Sequence, residues 1–217
     1  NRGQFEQAEV EFQAVLHART RLLGADHPDT LNTRHSLAMV LSNRGQFEQA
    51  EVEFQAVLDT QARLLGADHP DTLNTRHSLA IVLKNRGQFE QAEVEFQAVL
   101  HARTRLLGAD HPDTLNTRHS LAAVLIHRGQ FEQAEIEFRT VLHAQTPLLG
   151  ADHFHVLNTR HSLALLLSNR GQFEQAEVEF QAVLHARTRL LGADHPDTLN
   201  TRHSLAIVLK NRGHIGR

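Results

Sequence analysis

"GADHPDTLNTRHSLA" occupies residues 24–38 and recurs unchanged at residues 66–80, 108–122 and 192–206, with an altered copy, "GADHFHVLNTRHSLA", at 150–164. Its opening letters read as a helix stop, a cap and a helix start. Gly24 supplies the left-handed backbone that commonly closes a helix, and Asp26 is the expected cap of the next one. Pro28 falls in that helix's first turn, where no backbone donor is missed, and Asp29 adds negative charge at the positive helix end. A segment rich in His and Asp that returns unchanged at a fixed interval therefore reads mainly as a joint between helices.

The interval is 42 residues. "NRGQFEQAE" starts at Asn1, Asn43, Asn85 and Asn169, and "HRGQFEQAE" at His127. Five full repeats fill residues 1–42, 43–84, 85–126, 127–168 and 169–210, and "NRGHIGR" opens a sixth. Within a repeat, Phe5, Ala8, Phe12, Val15, Leu16, Leu22 and Leu23 share one stripe at helical spacing, which predicts a first helix over about Gln4–Leu23. A second helix, about Pro28–Asn43, is expected to bury Leu31, Leu37, Ala38, Val40 and Leu41, with Gly45 ending it. No stretch alternates with the two-residue period of a strand. A hairpin of this kind cannot bury its apolar face alone, so successive hairpins must stack. The expected fold is all-α: an α-solenoid of tandem helix-turn-helix repeats, about ten antiparallel helices wound superhelically as a single domain over residues 1–213, followed by a tail at 214–217.

Composition excludes several classes. The 217 residues carry a formal net charge of −3, and neither Tyr nor Trp occurs, so there is no basic footprint or stacking platform for nucleic acid. There is no cysteine and no apolar run of membrane-spanning length, so neither a disulfide nor a membrane partner is expected. The chain begins at Asn1 rather than Met, as expected of a fragment, and the cytoplasm is the expected compartment.

The stretch "SLAMVLSNRGQFEQAEVEFQAVL", Ser36–Leu58, resembles a tetratricopeptide repeat: Ala38, Gly45, Phe47, Ala50 and Phe54 fit its small, turn and aromatic positions. The added length and "LLGADHPDTL" are similar to the 42-residue class of kinesin light chains and many bacterial proteins. The resemblance spans residues 1–213. It implies a non-enzymatic scaffold that binds a peptide or protein partner along the concave face lined by the second helices. An alternative is the recognition arm of a larger nucleotide-switch signalling protein, although no "GxxxxGK[ST]" loop occurs in this chain.

On that second helix Asn32, His35, Ser36, Met39, Ser42 and Asn43 share one arc opposite the buried stripe. The expected partner contacts are Asn32, His35, Met39 and Ser42 in the first repeat and Asn74, His77, Ile81 and Lys84 in the second. Asn116, His119, Ala123 and Ile126 follow in the third, Asn158, His161 and Leu165 in the fourth, and Asn200, His203 and Ile207 in the fifth. No catalytic residue, cofactor or metal ligand is expected. His27 and His35 stand about 12 Å apart along a helix, too far to share an ion, and His35 and Ser36 diverge as sequence neighbours. Metalloenzyme or hydrolase chemistry is thus the weakest alternative.

Arg34 and its copies project into the apolar side of the helix. A guanidinium there needs a carboxylate, and Glu9, Glu11 and their copies are the candidates for an inter-helix bridge, with ligand anchoring as the other reading. Protonating all 17 histidines would carry the net charge from −3 toward +14, so partner affinity or self-association is expected to vary across about pH 5.5–7. The fourth repeat departs from the rest: Pro147 replaces Arg21's counterpart inside the first helix, and Phe154, His155 and Val156 replace "PDT", which predicts a bend and low local stability. With a first helix at one end and a second helix at the other, head-to-tail or swapped homo-oligomers are also expected.

Overall fold

The computed structural model describes the backbone of residues 2–215 and the side chains of residues 3–213. Ten helices follow one another: α1 Arg2–Leu23, α2 Pro28–Asn43, α3 Phe47–Leu65, α4 Pro70–Asn85, α5 Phe89–Leu107, α6 Pro112–His127, α7 Phe131–Leu149, α8 Phe154–Asn169, α9 Phe173–Leu191 and α10 Pro196–Ile215. No strand occurs among the described residues. Residues 216 and 217, the end of the expected tail, lie outside the described residues, and α10 continues as far as Ile215.

The chain divides into two compact units, residues 1–109 with α1–α5 and residues 110–217 with α6–α10. In the first, each helix packs against its neighbour in sequence, and α2 also touches α4. The second repeats the pattern, with α6 touching α8 and α8 touching α10. Within neither unit do the backbones of odd-numbered helices approach one another as closely as these even pairs do, among the described residues. The even-numbered helices therefore lie on the tighter side of each stack.

The even-helix stripe is buried as its periodicity predicts: Leu31, Leu37, Ala38, Val40 and Leu41 on α2, and the same set on α4, α6 and α8, where Leu166 stands in for Val40. Facing it from α3 are Ala50, Phe54 and Val57, all at 0% exposure. The expected stripe on the odd helices is too long, however. Leu22 and Leu23 and their copies are exposed, from 42% at Leu65 and Leu191 to 72% at Leu22. Helices α3, α5, α7 and α9 have 19 residues against 16 for α2, α4, α6 and α8, so their last turn runs past the helix that covers the rest.

The joints are built differently from the expectation in one respect. His27, not Asp26, caps α2: its backbone is extended (φ −67°, ψ 139°) and its Nδ1 accepts the Asp29 N–H at 3.2 Å. The residue before a proline is held out of the helical region, which suits His27 to the cap beside Pro28, although His153 takes the same conformation before Phe154. His69, His111, His153 and His195 do the same. Asp26 instead accepts from Arg63 at 2.6 Å. At the other end of α2, Gly45 (φ 79°) closes the helix, with Gln46 N–H on Leu41 C=O and Gly45 N–H on Ser42 C=O. That pair of bonds is the six-to-one and five-to-two Schellman arrangement. Gly66, after α3, has φ 96° and ψ 159°, a region open only to glycine.

Pro147 does not shorten its helix: α7 keeps 19 residues through it, and Gly150 N–H still reaches Thr146 C=O at 3.0 Å. Loss of Pro28's counterpart likewise leaves α8 capped by His153.

Candidate partner-binding face

The exposed arc of the even helices begins at Asn32. It, Asn74, Asn116 and Asn200 are exposed, and Asn158 is half-buried. Two of these amides are already engaged: Asn74 Oδ1 accepts from Arg103 at 2.5 Å, and Asn158 Oδ1 accepts from Arg187. One turn beyond the histidines, Met39, Leu165 and Ile207 are exposed while Ile81 and Ala123 are half-buried. Ser42, Lys84 and Ile126 are half-buried, and burial lowers the Lys84 ammonium below its ordinary value. Each unit thus presents polar amides beside an apolar row on its tighter side.

The histidines between these rows are turned inward. His35 stands edge-on to Phe54 with ring centroids 5.1 Å apart, and its Nδ1 lies 3.1 Å from Thr75 Oγ1 in the next repeat. His119 repeats this on Phe138 and Thr159, and His161 on Phe180 and Thr201. His77 packs on Phe96 in the same way. His77 and His161 keep only 7% exposure, whereas His203 is exposed. Burial holds His161 at about 4, helped by the nearby Arg187 charge and opposed by Asp197. Burial lowers His35 as well, against the pull of Asp71. The expected rise to +14 across pH 5.5–7 is therefore too large, because His161 resists protonation in that range.

Arg34 finds its carboxylate in the next repeat. It donates to Glu53, Arg76 donates to Glu95, Arg118 to Glu137 at 2.6 Å and Arg160 to Glu179 at 2.8 Å. These acceptors are copies of Glu11, and all eight groups are half-buried. The copies of Glu9 serve another row, which sequence reasoning missed: Arg44 pairs with Glu9, Arg86 with Glu51, Arg170 with Glu135 and Arg212 with Glu177. The signal was present as a constant spacing of 35 residues between Arg and Glu.

The serines that follow His35 and His77 bond to their own helix and not to the imidazoles. Ser36 Oγ donates to Asn32 C=O of its own helix at 2.9 Å, as Ser78 does to Asn74 C=O at 3.0 Å, while the neighbouring imidazole faces Thr75. Among the described residues no three His, Cys, Asp or Glu side chains are grouped to hold a metal ion, and no helix is long and apolar enough to cross a membrane.

Hairpins stacked through these fastenings match a known pattern in sequence as well. One tetratricopeptide-repeat family model matches residues 1–52, 36–100 and 79–146, and a second matches residues 156–197. The chain belongs to the tetratricopeptide repeat family. Such repeats generally mediate protein–protein interactions. Among solved structures, the chain is similar to nearly identical tetratricopeptide-like repeats from Podospora anserina, described there as a putative kinesin light chain. Identity is 28%, 87% of this chain and 89% of that one are covered, and the TM-score is 0.74. It shares the fold of BtubC from P. vanneervenii (20% identity, 96% and 84% covered, TM-score 0.79). A tetratricopeptide repeat protein from Parabacteroides merdae has the same fold (14% identity, 98% and 73% covered, TM-score 0.65). No curated protein sequence matches the chain.

Proposed function

We propose that this tetratricopeptide repeat chain is a non-enzymatic scaffold that binds a polypeptide partner along the even-numbered helices of each unit. The observation that carries the reading is the pairing of exposed asparagines, Asn32, Asn116 and Asn200, with the apolar row headed by Met39 on the tighter side of each stack. Amides satisfy the backbone of an extended peptide, and the apolar row supplies area to bury against its side chains. The inward histidines hold this face in shape by joining one repeat to the next, so the asparagines and the apolar row make the contact.

A random peptide display library panned against the chain tests this. Selected peptides should lose binding when Asn32, Asn116 and Asn200 are all changed to alanine, with helical circular dichroism unchanged. Binding that survives those changes, or no peptide selected at all, overturns the reading.

A further inference from the structure

At the nineteenth position of the repeat the chain alternates: Arg19, Gln61, Arg103, Gln145, Arg187. Where arginine is present it plugs a socket between hairpins. Arg187, only 4% exposed, donates to Asp197 C=O at 3.2 Å, to Thr201 Oγ1 at 2.7 Å and to Asn158 Oδ1 of the preceding repeat. Arg19 makes the first two of these contacts with Asp29 and Thr33, and Arg103 makes the third with Asn74. One 42-residue step before Arg187 stands Gln145, and the acceptors that correspond are His155 C=O, Thr159 Oγ1 and Asn116 Oδ1. The glutamine is too short to fill that space and carries no charge. A cavity of about 550 Å³ opens there, lined by those four residues together with Asp110, Asp113, Leu148 and Leu149 among others.

A second guanidinium has gone from the same seam. Arg63 pairs with Asp26, Arg105 with Asp68 and Arg189 with Asp152, but the residue that would pair with Asp110 is Pro147. The second repeat, which also carries glutamine, is closed by comparison. There Gln61 is 3% exposed, takes the Thr75 hydroxyl at 2.7 Å, and Arg63 is retained. At Gln145 the matching Thr159 contact stretches to 3.5 Å and the side chain is half-buried.

We infer that the cavity between α6 and α8 is a socket for an arginine side chain of a partner polypeptide, whose guanidinium takes the place that Arg187 fills in its own repeat. This rests on the partner-binding reading and gives one contact its chemistry. The three oxygen acceptors stand at fixed positions, which suits a planar fork of donors better than an ammonium point charge. Asp110 and Asp113 at the rim supply opposite charge, and Leu148, 71% exposed, and Leu149 offer apolar surface to the aliphatic stem. The volume falls within the roughly 300–1,000 Å³ of ordinary ligand pockets.

The test uses the full chain and a capped pentapeptide with one arginine flanked by glycines, with lysine and citrulline versions as controls, followed by amide chemical shifts. The arginine peptide should bind at least tenfold more tightly than the citrulline one and shift the amides around Asn116, Gln145 and Thr159. Gln145→Arg, which installs the residue already tolerated at Arg187, should abolish that binding and raise Tm. Equal binding of arginine and citrulline peptides, or undiminished binding to Gln145→Arg, overturns the socket. If display-selected peptides still depend on the asparagines while Gln145→Arg changes nothing, the socket fails and the scaffold reading stands.

Discussion

The imidazole of His161 stands edge-on to the ring of Phe180, with centroids 5.2 Å apart, and Phe180 is fully buried. The contact joins the second helix of one repeat to the first helix of the next and keeps the histidine out of water. Burial, with Arg187 close by and Asp197 opposing, holds its proton affinity down to about 4, against about 6.5 in an unfolded chain. Between those values the unfolded state takes up a proton that the folded state refuses. Stability contributed by neutral His161 is thus complete above pH 6.5, falls as pH drops toward 4, and levels off below that. The slope from this one group is at most about 1.4 kcal/mol per pH unit. Urea unfolding at pH 7, 5.5 and 4.5 should show the fall, and His161→Phe should reduce it.

Thr72 is 1% exposed and its hydroxyl finds no partner, as at Thr30, Thr114 and Thr198. The fourth repeat places Val156 at this position, 1% exposed. An unpaired buried hydroxyl costs about 1–3 kcal/mol. Thr72→Val should therefore raise stability by roughly 1 kcal/mol, read as a higher denaturation midpoint at unchanged slope.

Phe138 and Ile136 lie two residues apart on α7 with opposite surroundings. Phe138 is at 0% exposure and Ile136 at 62%. Phe138→Ala should cost about 3–5 kcal/mol through lost burial and a cavity, and Ile136→Ala should stay within about 0.5 kcal/mol. Chemical denaturation of the two variants measures the contrast.

Pro147 lacks the N–H that would bond the preceding turn, although α7 runs through it intact. The last two turns of α7 should exchange amide hydrogens faster than those of α9, where Arg189 occupies the corresponding place. Equal protection in both helices would contradict this.

Most of the fold could be read in the sequence because its strongest signals are local. The α2 boundaries follow from Pro28 and Gly45, and the buried stripe from Leu31 to Leu41 follows from helical spacing. Leu64 and Leu65 were misplaced because periodicity reports a face and not how far the covering helix extends. The cap was misplaced by one residue because aspartate outranks histidine as a capping type, whereas the histidine stands at the cap with the proline after it, as at His27, or without it, as at His153. Arg34 was legible as a charge needing a carboxylate; that its partner sits on the next repeat's first helix, at Glu53, depends on stacking geometry. The inward turn of His35 toward Thr75, 40 residues away, has no local signature.

The pairs Arg34 with Glu53, Arg44 with Glu9 and His35 with Thr75 share one property: each joins residues at set offsets of 19, 35 or 40 along the chain. Cutting out 42 consecutive residues would therefore leave these three offsets unchanged in what remains. A chain longer or shorter by whole repeats would thus use the same fastenings between its neighbours.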